Sequence, residues 1–205
     1  LVILSRSVPS GDYADDPETA AWNGITAPMM IINGYLLRNS RLGFVTAANI
    51  PDTAGTVSLS ITDPSHPIFA GLALNPDNTM VNPYAELVSF NATVQRGISA
   101  NTDPLAGGGQ LLATVATVGD PAFGGTIIAE WQAGATMATS PADILGGHRL
   151  VFLTGSREQG ITSEGAGIYD LTPDGAQMFL SAVNYMAIPE ASTAALFTLG
   201  VLPLL

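Results

Sequence analysis

The fold is decided by the first 34 residues, LVILSRSVPSGDYADDPETAAWNGITAPMMIING. The two apolar runs in this stretch, residues 1–4 and 27–32, predict short buried strands. Between them, the acidic cap residue Asp15, Pro17 in the first turn and Gly24 as a stop predict a short helix. A strand, a helix and a strand at this spacing form a βαβ unit, so we expect the two strands to lie side by side and parallel.

The remainder of the chain predicts more strands and one long helix. Strands are expected at residues 56–62, 87–90, 111–118, 126–131 and 150–154, with a hairpin loop at 119–125. The helix is expected at residues 172–187, capped by Thr172. Its apolar residues share one face, namely Met178, Phe179, Ala182, Val183 and Met186. These elements together predict an α/β fold.

Composition excludes several kinds of chemistry. The chain has 205 residues, of which 47% are hydrophobic and 11% charged, so it can bury the core of a single domain. A net charge of −11 repels phosphate, which argues against nucleic acid as a partner. Cysteine is absent, which excludes disulfides, thiolate metal sites and cysteine nucleophiles. Lysine is also absent, and with it every mechanism that needs a side-chain amine.

Several segments in this order carry a family resemblance. They are Ser5-Arg6-Ser7 after the first strand, residues 28–34, HPIFAGL at 66–72, GGHRLVF at 146–152 and LTPDG at 171–175. Residues 1–187 resemble the glutamine amidotransferase-like superfamily, in particular its trehalose-utilisation (ThuA-like) relatives. The resemblance implies a flavodoxin-like three-layer sandwich with a mostly parallel sheet and some antiparallel additions. Because residue 1 already lies inside an apolar run, we expect this domain to be a fragment that lacks a first strand and helix.

The same resemblance locates a candidate site at the carboxyl ends of the strands. Amidotransferases of this class carry a cysteine at the turn that here reads Asn33-Gly34-Tyr35, so glutaminase activity is not expected. What we predict instead is a polar ligand-binding crevice. Its residues are Ser5, Arg6, Ser7, Asn33, Tyr35, Arg38 and His66. No catalytic residue, metal or cofactor is predicted.

The last 18 residues, IPEASTAALFTLGVLPLL, look like a separate segment. Residues 188–205 resemble a PEP-CTERM sorting signal, with Pro189, Glu190, Ser192 and Thr193 as its core. Ala191 replaces the second proline and the terminal arginine cluster is missing, so we expect a truncated signal. The resemblance implies export in a Gram-negative-type bacterium, a partner in the sorting machinery, and a place at the cell surface or in the extracellular matrix.

Three side-chain groups have two readings each. Arg6, Arg38 and Arg41 either form a fork for a carboxylate or sugar acid, or pair with the acidic residues at 12–16. We expect His66 to fix its own loop by a hydrogen bond, against a role as catalytic base or metal ligand. Glu158 and Glu164 form either a catalytic carboxylate pair or a solvated loop.

Three functional hypotheses follow. The first is an exported, surface-associated protein whose amidotransferase-like domain has lost thiol chemistry and acts in binding or assembly, with a carbohydrate or extracellular polymer as partner. The second is a carbohydrate-active enzyme of the trehalose-utilisation type. The third is a structural extracellular protein without a ligand. We favour the first, because few positioned acid–base groups are evident in the sequence.

Overall fold

The computed structural model describes residues 1–54, 57–84, 88–89, 95–96, 98–154 and 171–187. The strands are β1 (Val2–Leu4), β2 (Met29–Ile31), β3 (Leu59–Ile61), β4 (Thr79–Met80), β5 (Val88–Ser89), β6 (Gln95–Arg96), β7 (Gln110–Val115), β8 (Thr126–Trp131) and β9 (Arg149–Phe152). The α-helices are α1 (Glu18–Asn23) and α2 (Pro173–Ala187), and short 3-10 helices cover Ser10–Tyr13, Gly34–Leu36 and Pro67–Phe69.

Seven strands form one mixed sheet in the order β1-β2-β9-β8-β7-β3-β4. The predicted βαβ unit is confirmed, since β1 and β2 are parallel neighbours with Ile3 opposite Met30. Strand β9 continues the parallel set beside β2. Strands β5 and β6 pair separately as an antiparallel hairpin.

The expectation of a mostly parallel sheet is wrong. Only the β1–β2 and β2–β9 pairings are parallel, whereas the other four pairings in the sheet are antiparallel. The reason lies in the connections: the predicted hairpin joins β7 to β8 through a loop too short for a crossover helix. The architecture is therefore α/β with a mixed sheet.

The strand directions define two edges of the sheet. We call the edge where β1, β2 and β9 end the carboxyl edge, and the edge where they begin the amino edge. Because β8 runs antiparallel to β9, β7 antiparallel to β8, and β3 antiparallel to β7, strands β3 and β8 end at the amino edge.

Helix α2 is the predicted amphipathic helix. The Thr172 hydroxyl caps it by accepting the Gly175 N–H at 3.3 Å. Its buried residues are Gly175, Met178, Ala182 and Met186, and it packs on β2 and β9. The Phe179 ring meets Phe152 of β9 edge-on at 5.4 Å between centroids. The helix thus runs back along the sheet from the carboxyl edge to the amino edge.

A buried guanidinium ties the start of β9 to the chain that enters β2. Arg149 is fully buried, and its two terminal nitrogens donate to backbone carbonyls. The acceptors are the carbonyl oxygens of Trp22, Asn23, Ile25, Ala27 and His148. Burial lowers the pKa of Arg149 to about 10, so the group is charged at neutral pH. This arginine holds the α1–β2 connection in place.

Candidate functional site

The loops that follow β1 and β2 meet at the carboxyl edge, as predicted. The Asn33 side chain joins them: its amide nitrogen donates to the Val8 carbonyl at 3.0 Å, and its oxygen accepts the Tyr35 N–H at 2.9 Å. Asn33 is buried, so both polar ends of its amide are satisfied inside the protein. This residue joins the two loops, and its burial keeps it away from a ligand at the surface.

Arg38 is the most defined polar side chain at this edge. Its Nε donates to the Tyr35 carbonyl at 2.9 Å and its Nη2 to the Ser10 hydroxyl at 3.1 Å. The guanidinium carbon lies 5.1 Å from the centre of the Tyr35 ring, within cation–π distance. Burial and the nearby charge of Arg41 lower the pKa of Arg38. Two cationic groups therefore lie together on an acidic protein.

The predicted pairing of Arg38 and Arg41 with the acidic turn does not occur. In the part of the chain that the structure describes, Arg41 donates only to the carbonyl and hydroxyl of Ser40. Asp12, Asp15 and Asp16 are exposed. No carboxylate of the described residues therefore pairs with Arg38 or Arg41.

The remaining predicted residues of the carboxyl edge differ in exposure. Ser5 is exposed, Ser7 is half-buried and Arg6 is buried at the end of β1. We call Ser5, Arg6, Ser7, Asn33, Tyr35 and Arg38 the carboxyl rim. Six of the seven predicted crevice residues thus lie on two adjoining loops.

The turn after β2 has no room for a nucleophile at its centre. A methyl group on Gly34 would collide with the carbonyl oxygen of Ser99 and touch Leu153. The backbone of the Ser99 segment therefore occupies the space that a side chain at this turn would need. The absence of cysteine and this close packing both argue against an amidotransferase-type elbow.

His66 lies at the other edge of the sheet, which corrects its assignment to the crevice. It follows β3, which ends at the amino edge, whereas β1 and β2 end at the carboxyl edge. The expected loop-fixing bond is present: His66 Nδ1 accepts the Ile68 N–H at 3.3 Å and caps the 3-10 helix Pro67–Phe69. The resemblance of residues 66–72 to a family segment therefore did not indicate at which edge of the sheet His66 lies.

A second polar group surrounds the carboxylate of Glu130, near the end of β8. Its Oε2 accepts from His148 Nε2 at 3.0 Å and from the Tyr185 hydroxyl at 3.0 Å. His66 Nε2 faces Oε1 at 3.5 Å. The rings of His66 and His148 both pack edge-on against Tyr185. We call Glu130, His66, His148 and Tyr185 the Glu130 cluster.

Hydrogen bonding sets the proton positions in this cluster. Burial raises the pKa of the Glu130 carboxyl, but the donors of His148, His66 and Tyr185 that face it outweigh burial and lower its pKa to about 2. An ionised carboxylate only accepts, so His148 carries a proton on Nε2. Neutral His66 carries its proton on Nε2 as well, because its Nδ1 accepts from Ile68.

This arrangement does not suit a metal ion. A neutral histidine that bound a metal through Nε2 would need its proton on Nδ1, where the Ile68 N–H already points. Among the described residues, no three histidine, aspartate or glutamate side chains are placed to hold a metal ion. Within the same ranges, no helix is both long and apolar enough to cross a bilayer.

Neither Glu130 nor Tyr185 is among the residues predicted from sequence. The signal for Glu130 is its position in TIIAEW, a strand in which every residue is buried. A carboxylate in a wholly buried strand needs donors, and the two histidines of the chain are suitable ones. Tyr185 leaves no such signal, since its spacing on α2 fits an ordinary partly buried helix residue.

Some predicted residues fall outside the described ranges. They are Glu158 and Glu164 of the carboxylate pair, and Pro189, Glu190, Ser192 and Thr193 of the sorting segment. A scan against protein-family models, a search of curated proteins and a search of solved structures each returned no match for this chain.

Proposed function

We propose that this chain is a non-catalytic binding domain of an exported, surface-associated protein. In this proposal its α/β domain belongs to the flavodoxin-like sandwiches of the glutamine amidotransferase-like superfamily. The carboxyl rim binds a carboxylate-bearing polymer outside the cell, such as an acidic polysaccharide. The sorting segment at 188–205 delivers the protein to that location.

The observation that carries this proposal is the fixed guanidinium of Arg38. Tyr35 supports one side of it, and two of its nitrogens are held by Tyr35 and Ser10. Nη1 donates to none of the described residues, and the group is half-buried at the surface. A guanidinium held in this way binds a carboxylate with little loss of side-chain entropy.

The charge distribution supports an acidic rather than a neutral ligand. Arg41 lies close enough to Arg38 for its charge to lower the pKa of Arg38, on a chain of net charge −11. Repulsion by the rest of the surface keeps anions away unless a local cationic group attracts them. The rim is such a group. An acidic ligand must make several contacts that together outweigh the repulsion from the rest of the surface, and a polymer can do so.

Two features support a binding role over catalysis at this edge. The turn after β2 has no cysteine and no space for a side chain at Gly34. Asn33 is buried and bonded to Val8 and Tyr35. The rim therefore offers cationic and aromatic surface without a positioned nucleophile or base.

Affinity electrophoresis through gels that contain polygalacturonate tests the proposal. These gels should retard the wild-type protein, and Arg38→Gln should lose most of this retardation. Gels that contain the neutral polymer dextran should retard neither the wild type nor the variant. Arg38→Lys keeps the charge without the planar group and should be intermediate. Equal retardation of wild type and Arg38→Gln would contradict the proposed site.

Other outcomes would favour the two alternative hypotheses, a structural protein or a carbohydrate-active enzyme. Absence of retardation by any acidic polymer would favour a structural protein without a ligand. Release of reducing sugar from a glycan would favour the carbohydrate-active enzyme.

Export is tested separately. The sorting segment should remain uncleaved in a host without sorting machinery, and processing there would contradict this part of the proposal.

A further inference from the structure

The two histidines of the Glu130 cluster differ in what a second proton does to them. Each neutral ring carries its proton on Nε2, so a second proton must go to Nδ1. His148 is 14% exposed, and its Nδ1 has no hydrogen-bond partner among the described residues. Protonation of His148 therefore breaks no hydrogen bond in that part of the chain.

His66 has no such freedom. Its side chain is 7% exposed, and its Nδ1 accepts the Ile68 N–H at 3.3 Å as the cap of the 3-10 helix Pro67–Phe69. A proton on Nδ1 would put two N–H groups face to face, and a protonated imidazole has no acceptor left. Charging His66 therefore breaks the cap.

The carboxylate of Glu130 favours this second proton. Its Oε1 lies 3.5 Å from His66 Nε2, and that nitrogen is buried without a hydrogen-bond partner among the described residues. Glu130 stays ionised in mildly acidic solution, since its pKa is about 2. A charged His66 ring gains an ionic contact with Oε1 that the neutral ring does not have. The ring is thus attracted to Glu130 on one side while it loses Ile68 on the other.

The other titratable groups around His66 act in both directions. Tyr185 of α2 packs edge-on against the ring at 4.8 Å, and His148 packs on the same tyrosine. Asp63 lies on the same loop, and its carbonyl oxygen accepts the His66 backbone N–H. The carboxylates of Asp63 and Glu130 favour a charged His66, whereas a charged His148 opposes it.

We propose that His66 is a proton-operated latch for the loop at residues 66–72. The neutral ring holds the loop through Ile68, and protonation in mildly acidic solution releases Ile68 and draws the ring towards Glu130. Ile68 and Phe69 are buried in the core, and their 3-10 helix packs against α2. Release therefore weakens the packing of this loop on α2. The latch lies at the amino edge and does not depend on polymer binding at the carboxyl rim.

Two variants separate the cap from the charge. In His66→Asn, the side-chain oxygen can accept the Ile68 N–H but takes up no proton, so the cap persists at every pH. His148→Asn is the matched control, because it removes the other imidazole of the cluster and leaves the cap in place.

Hydrogen exchange at the Ile68 amide, corrected for the intrinsic effect of pH on exchange, measures the cap. From about pH 7.5 to about pH 5, protection should fall about tenfold in the wild type and in His148→Asn and stay constant in His66→Asn. Constant protection in the wild type, or an equal fall in His66→Asn, would overturn the proposal.

A second measurement needs no variant. Nitrogen NMR of the wild-type imidazoles follows the protonation of His66 Nδ1 directly. Its midpoint should coincide with the pH at which Ile68 loses protection, because one proton causes both changes. Two clearly different midpoints would also overturn the proposal.

Discussion

The carboxyl rim and the Glu130 cluster are both groups of polar side chains at an edge of one sheet, yet they are built differently. Rim side chains bond to neighbouring backbone and hydroxyl groups, as Arg38 does to Tyr35 and Ser10. Cluster side chains are mostly buried and come from four chain segments: His148 and Tyr185 hydrogen-bond to Glu130, and His66 faces its other oxygen at 3.5 Å. A group that is solvated on one side can spare hydrogen-bonding capacity for a ligand, whereas a buried group stabilises the fold.

The largest effect at the amino edge should come from Arg149→Met. The substitution leaves the buried carbonyl of Asn23 and the partly buried carbonyls of Ile25 and Ala27 without this donor, at an expected cost of about 4 kcal/mol of unfolding free energy. Urea unfolding measures this cost. Arg41→Met is the matched control, because Ser40 is the one residue among those described to which Arg41 donates, and it should unfold near the wild-type midpoint. Similar losses in both variants would contradict a special role of the buried arginine.

Glu130→Gln should have the next largest effect on the free energy of unfolding, and this effect should depend on pH. The folded-state pKa of Glu130, about 2, is below the ordinary 4.5. Its contribution of about 3 kcal/mol is therefore complete above pH 4.5 and is lost as the pH falls towards 2. The variant should be less stable than the wild type at neutral pH, and its stability should change less than that of the wild type between pH 4.5 and 2.

Unfolding free energies measured from pH 7 to pH 2 give this comparison. Asp15→Asn, at an exposed position, should reproduce the wild-type pH profile. If Glu130→Gln also reproduces that profile, the carboxylate is not held ionised by its neighbours.

The difference between the two edges also explains what could be predicted from sequence. The β1–α1–β2 unit and the hairpin β7–β8 depend on residues close in the chain, where periodicity and turn residues are informative. The insertion of β9 between β2 and β8 pairs Met29 with Arg149, and no local pattern encodes such a distant pairing. The sheet is mixed because β8, β7, β3 and β4 then each pair antiparallel with the strand before them in the sheet.

The same reasoning applies to the sites. Rim residues follow two adjacent parallel strands, so their convergence follows from topology. The members of the Glu130 cluster come from positions 66, 130, 148 and 185, and only the assembled sheet and helix bring them together. His66 was assigned to the wrong edge because the direction of β3 depends on its antiparallel pairing with β7.

Tyr185→Phe should have a smaller effect, about 1 kcal/mol. It removes the hydroxyl that donates to Glu130 while the ring contacts with His66 and His148 are kept. Thermal unfolding and hydrogen exchange in α2 measure the change. A loss as large as that of Glu130→Gln would mean that the carboxylate depends mainly on the tyrosine and that the histidines contribute little.

Arg38→Gln should have the smallest effect on stability, about 0.5 kcal/mol, although it should abolish most polymer binding. Its guanidinium is half-buried, and water can replace both bonds that it makes at the surface. Urea unfolding of the variant used in the gel experiment measures the difference. A loss above about 2 kcal/mol would place Arg38 with the stabilising groups of the amino edge. Since weakened binding would then follow from partial unfolding, only the combination of intact stability and lost retardation assigns the rim a role in recognition.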